Sequence, residues 1–98
     1  MGATGRPKAA SAPREGDLRV WHIPQVPGKP FRVPVAGVDQ AKVLLRALAD
    51  YDKFQFENRI KPDYANAQGL EVFEDGEWGE WYDEESGDDI GQVMRAEA

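Results

Sequence analysis

Apolar and polar residues change rhythm several times along this chain. In "LRVWHI", Leu18 to Ile23, an extended backbone sets Leu18, Val20 and His22 on one side and Arg19, Trp21 and Ile23 on the other, the period of a half-buried strand. "PQVPGKP" limits it, because Pro24 and Pro27 lack backbone donors and Gly28 permits a tight turn. "FRVPV", Phe31 to Val35, reads as a second short strand, with Pro34 pointing to an edge position or a bulge. A loop of roughly five to seven residues suits an antiparallel hairpin.

The rhythm then becomes helical. In "VDQAKVLLRALADYDKFQFENRI", Ala41, Leu44, Leu45, Leu48 and Tyr51 or Asp52 recur at three- and four-residue intervals, while Lys42, Arg46 and Lys53 look outward. Asp39 is the expected N-cap. The helix is expected to stop between Phe56 and Ile60, and Leu48 is expected to be among its most sensitive positions. Lys61 to Gly69, "KPDYANAQG", is rich in turn formers, and over the helix end and this polar connection Asn58, Arg59, Lys61, Asp63, Tyr64 and Asn66 chiefly satisfy backbone groups. "LEVFE" supplies a third strand, Asp75-Gly76 a turn and "EWGEWYD" a fourth. The expected fold class is therefore α+β, ordered ββαββ, with the helix on one face of a small, mainly antiparallel sheet. Residues 18–83 form the expected domain, 1–17 a flexible N-terminal arm and 84–98 an acidic, flexible C-terminal tail.

Two registers suit the last hairpin. A two-residue Asp75-Gly76 turn sets Phe73 opposite Trp78, Leu70 opposite Trp81 and Glu71 opposite Glu80. A three-residue loop with left-handed Gly76 sets Val72 opposite Trp78 and Leu70 opposite Glu80. The first pairs apolar groups better but opposes two carboxylates. In both, strand alternation keeps some of Phe73, Trp78, Trp81 and Tyr82 away from the core.

Charge sharpens this picture. The 98 residues carry a net charge of −6. Glu71 to Asp89 contributes ten acidic residues and no lysine or arginine, whereas the chain up to Pro62 holds eleven basic and six acidic ones. Such a field disfavours direct nucleic-acid binding and favours cationic surfaces. With 41% hydrophobic and 31% charged residues the chain suits a single folded domain. Cysteine is absent, which removes disulfides, thiolate catalysis and zinc-thiolate sites. No apolar run reaches membrane-helix length and the first 17 residues lack a signal core, so a soluble, cytoplasmic protein without membrane contact is expected.

The candidate site is the acidic aromatic hairpin. Trp78, Trp81 and Tyr82 are the expected protein-binding anchors, and Glu71, Glu77, Glu80 and Asp83 the orienting charges, for a basic protein surface. A nucleic-acid-binding protein, its groove occupied by carboxylates in place of phosphates, is one version of that partner. "DEESGDD" departs from calcium-loop spacing, and carboxylate pairs such as Glu71 with Glu80 lack a defined cleft for hydrolysis. His22, the single histidine, has no nucleophile in a recognisable arrangement and reads as structural. No catalytic residue, cofactor or metal ligand is assigned.

The stretch "LADYDKFQFENRIKPDYANAQGLEVFEDGEWGEWYDEE" resembles a family of small, functionally uncharacterised proteins of bacteriophages and related mobile elements, the likeness running from Leu18 to Asp89. That resemblance implies a bacterial host cell and an accessory or host-interaction role, and transfers no functional residue. The resulting expectation is a non-enzymatic acidic interaction module, a phage accessory protein that binds or inhibits a basic host protein, with inhibition of host defence as one form. A homodimeric or larger structural assembly is the second reading, and a small metal-dependent hydrolase the third.

Overall fold

The alternating segments pair as one antiparallel sheet. The computed structural model describes residues 12–61 and 66–98. In chain order it holds β1 (Leu18–Ile23), β2 (Phe31–Val35), α1 (Val38–Glu57), β3 (Ala67–Glu74), β4 (Glu77–Glu80) and α2 (Ile90–Glu97). The four strands lie in the order β2-β1-β3-β4, all neighbours antiparallel. The fold is the expected α+β class with a short helix added at the end. Pro34 stands in edge strand β2, where its missing N–H removes no bond from the sheet interior.

Period two decides what each face carries. Val20 lies opposite Leu70 and Val33, Leu18 opposite Val72, and His22 opposite Gln68, all on the helix side. Val20, Leu70, Ala41, Leu45 and Ile90 form the buried core, with Leu18, Val35, Val38, Leu44, Leu48, Trp81 and Met94 packed around it. Full burial of a residue such as Leu45 stabilises by about 1.5–3 kcal/mol. Leu45, rather than Leu48, is the leucine of α1 that is wholly enclosed.

Helix α1 starts two positions earlier than Asp39 as N-cap implied. Gly37 is its N-cap and makes no side-chain cap bond, while Asp39 sits in the first turn, where a negative charge still complements the helix dipole. Asn58 closes the other end through its backbone N–H and its Nδ2, both donating to the Phe54 carbonyl. Arg59 then turns left-handed, at φ 61°.

Order extends beyond the expected domain at both ends. Residues 1–11 of the expected arm lie outside the described residues, but residues 12–17 run along the sheet. Gly16 N donates to Phe73 O at 2.8 Å and Phe73 N to Asp17 O at 2.9 Å, prolonging the β1-β3 ladder. The segment expected as a flexible tail contains α2, whose Ile90 is 2% exposed. Asp89 and Gln92 form a reciprocal capping box, and Ile90, Val93 and Met94 give the short helix an apolar side. The acidic composition of residues 83–89 obscured that signal. No helix among the described residues is long and apolar enough to cross a membrane.

Candidate functional site

The Asp75-Gly76 turn fixes the hairpin register. Both residues have positive φ, 54° and 82°, the left-handed pair of a two-residue hairpin turn. Phe73 therefore lies opposite Trp78, and Glu71 opposite Glu80. The like-charge pairing is relieved from the other side of β3. Arg19, opposite Glu71 across β1, places Nε 2.6 Å from Glu71 Oε1, and Arg32 Nε lies 3.7 Å from the same oxygen.

The same arginine engages the indole. Arg19 Cζ lies 4.0 Å from the Trp78 ring centre, and Phe73 meets that ring edge-on at 5.3 Å and 65°. Next to them Trp21 covers Gly69, where a β-carbon would come within 2.6 Å of the indole. These contacts put Arg19, Trp21, Glu71, Phe73 and Trp78 on the sheet face away from the helices. A groove of about 940 Å³ on this side is lined by residues that include Arg14, Arg19, Arg32, Pro34 and Trp78.

The hairpin residues singled out by sequence thus separate into different roles. Glu71 is bound to arginine, Trp78 is partly covered by Arg19, and Trp81 packs against the hydrophobic core. Asp83 folds the next turn: its Oδ2 accepts from Glu85 N, Ser86 N and Ser86 Oγ at 3.2, 2.9 and 3.1 Å. Those hydrogen bonds, the Ser86 backbone N–H first, hold its carboxyl below the ordinary carboxylate range. Glu77, Glu80 and Tyr82 remain outward, with Tyr82 56% exposed. Among the described residues, neither Glu77 nor Glu80 has a cation partner, and the same holds for Glu74, Glu84 and Glu85. The structure therefore leaves Glu77 and Glu80 on free edge strand β4, with Glu74 at the end of β3 opposite Glu77, close in sequence to exposed Tyr82.

A second polar constellation lies inside the molecule. The Gln68 side-chain amide donates to Leu45 O at 3.2 Å, which turns its oxygen toward His22 Nδ1, 2.8 Å away. His22 Nε2 approaches Asp52 Oδ2 to 2.7 Å without hydrogen-bond alignment. Both ring nitrogens face oxygen. Asp52 also accepts from Asn66 Nδ2 at 2.6 Å and pairs with Lys61 Nζ at 3.1 Å, while Lys61 donates to Pro24 O. Burial pushes the Asp52 carboxyl up, but the Asn66 and Lys61 hydrogen bonds and the charges of His22 and Lys61 outweigh it and hold it below the ordinary range.

This network joins the end of β1, the last turns of α1 and the connection into β3. His22 and Asp52 are both 2% exposed, so the network is internal cross-linking rather than a ligand site. Its sequence signal was a histidine on the core side of a strand and the Tyr51-Asp52 ambiguity of the helix. Asp52 faces inward and Tyr51 outward. Asp63 and Tyr64 of the polar connection lie outside the described residues. Among the described residues no group of three or more His, Asp or Glu side chains is placed to hold a metal ion.

Comparison with known proteins adds an independent line. Residues 17–98 match the profile of the family described as Superinfection exclusion gene product 17. The superinfection exclusion protein of Salmonella phage P22 is 50% identical over 80 residues, a match covering 68% of this chain and 78% of that protein. No solved structure matches.

Proposed function

The chain belongs to the superinfection exclusion gene product 17 family, a family of small phage proteins, and on that premise we propose that it acts in exclusion as a non-enzymatic protein-binding module. Superinfection exclusion protects an occupied cell from a further phage, and occupation of one protein surface is enough to block a step of entry or establishment. The contact surface is the β4 edge with Tyr82, and the partner is a basic protein of the host cell, acting in the cytoplasm. A protein whose groove normally receives phosphates fits this chemistry.

One observation carries the reading. Glu74, Glu77 and Glu80 remain without cation partners among the described residues, whereas Glu71 is tied to Arg19. The acidic run is thus divided into carboxylates used by the fold and carboxylates left for a cationic surface. Exposed charge steers association and fixes orientation, and Tyr82 adds contact area.

The test combines Glu77→Gln, Glu80→Gln and Tyr82→Ala in one variant, expressed in a phage-sensitive host at the level of the parent chain. We expect the parent to lower plating of an incoming phage, and the variant to retain its melting temperature but lose that protection. Its partner, recovered by cross-linking and pull-down with the parent, should bind about tenfold or more weakly. Undiminished protection and capture by the folded variant reject this surface.

A further inference from the structure

One exposed flank of α1 is apolar where solvent contact favours charge. At about 100° per residue, Gln40, Val43, Ala47, Tyr51 and Phe54 fall within an arc of roughly 80° that contains no charged side chain. Val43, Tyr51 and Phe54 are 66%, 58% and 52% exposed. The core requires none of them, because α1 meets it through Val38, Ala41, Leu44, Leu45 and Leu48. Asp39, Lys42, Arg46, Asp50, Lys53 and Glu57 share the adjoining flank. An apolar stripe with a charged rim has the character of an interface.

We propose that a second copy of this chain docks on this stripe, α1 against α1, antiparallel about a two-fold axis. Reversal matches large to small: Val43 meets Phe54 of the partner subunit, while Ala47 lies near the axis and permits close approach. In that arrangement the charged flank faces its own copy, bringing Arg46 beside Asp50 of the partner subunit, and symmetry makes the contact twice. Both charges are available. Asp50 has no cation partner among the described residues, and Arg46 reaches only Glu97, at 3.9 Å. A parallel pair sets the charged flank against the Leu44 side of the other helix, losing this match. Self-pairing through β4 is disfavoured by its exposed glutamates.

The test is the mass of the full chain by light scattering and sedimentation over a wide concentration range. We expect twice the chain mass, and the chain mass for Tyr51→Glu, with far-ultraviolet circular dichroism confirming that the variant is folded. Arg46→Asp and Asp50→Arg should each weaken the dimer about tenfold, and their combination should restore it. A monomer at every concentration overturns the proposal, as does a dimer that survives Tyr51→Glu or a double exchange that fails to rescue. If the chain is monomeric and Tyr51→Glu abolishes phage exclusion, the stripe serves a different protein and the second-copy assignment falls.

Discussion

A carboxylate as enclosed as that of Asp52 depends on its partners, and its protonation state reports on them. Its native pKa lies below the ordinary range despite burial, because Asn66, Lys61 and His22 favour the charged form. The stabilisation is therefore present above the unfolded-state value of about 3.9 and is lost as pH falls through the lower native value. Asp52→Asn should lower stability at neutral pH by about 3–5 kcal/mol, since it leaves Lys61 without its buried counter-ion and His22 Nε2 without the carboxylate it faces. Urea unfolding of both proteins from neutral pH into acid should show the difference shrinking below about pH 4. Gly69 tests close packing on the opposite face. A methyl group there collides with the Trp21 indole, and Gly69→Ala should cost about 1–3 kcal/mol in the same assay.

Among the elements, α2 depends most on its surroundings. Eight residues are too few for a stable isolated helix. Its Asp89-Gln92 capping box and the insertion of Ile90 into the core supply the difference. Ile90→Ala should destabilise the protein by about 2–5 kcal/mol in urea titration, far more than exposed substitutions in the same helix. The strands and α1 were legible in the sequence because alternation and the Ala41-Leu45-Leu48 spacing repeat over several turns. The sequence left two registers open for the last hairpin, and the positive φ of both Asp75 and Gly76 decides for the two-residue turn. The composition of residues 83–89 hid α2, since acidity describes what a segment shows to water and says little about the next apolar residue. The His22-Asp52 contact was illegible for another reason: it joins residues distant in sequence, and only the packing of α1 across β1 brings them together. Trp81 lay beyond reading in the same way. Alternation gives two sides of a strand, but the packing of α1 and α2 decides which aromatic is enclosed.

At the scale of the molecule, the dipolar charge distribution read in the sequence becomes a division of surfaces. Glu71 is absorbed by Arg19 and Arg32 on the open sheet face, while the glutamates of β4 remain unpaired among the described residues. Binding to a cationic partner should therefore weaken with salt, over the range where the screening length shortens from about 30 Å at 0.01 M to about 8 Å at 0.15 M. Replacing Glu77 and Glu80 by glutamine should flatten that dependence by slowing association, which surface plasmon resonance at several ionic strengths resolves. The placement of Ile90 reaches further, into synthesis of the protein. On the ribosome the sheet strands and α1 emerge first, yet the core between them stays open until codon 90 has been translated and its residue has left the exit tunnel. A chain released before Ile90 carries every strand and the long helix, but should fluctuate open and be cleaved faster by added protease than the full chain. Ile90 thus ties resistance to proteolysis to translation past position 90.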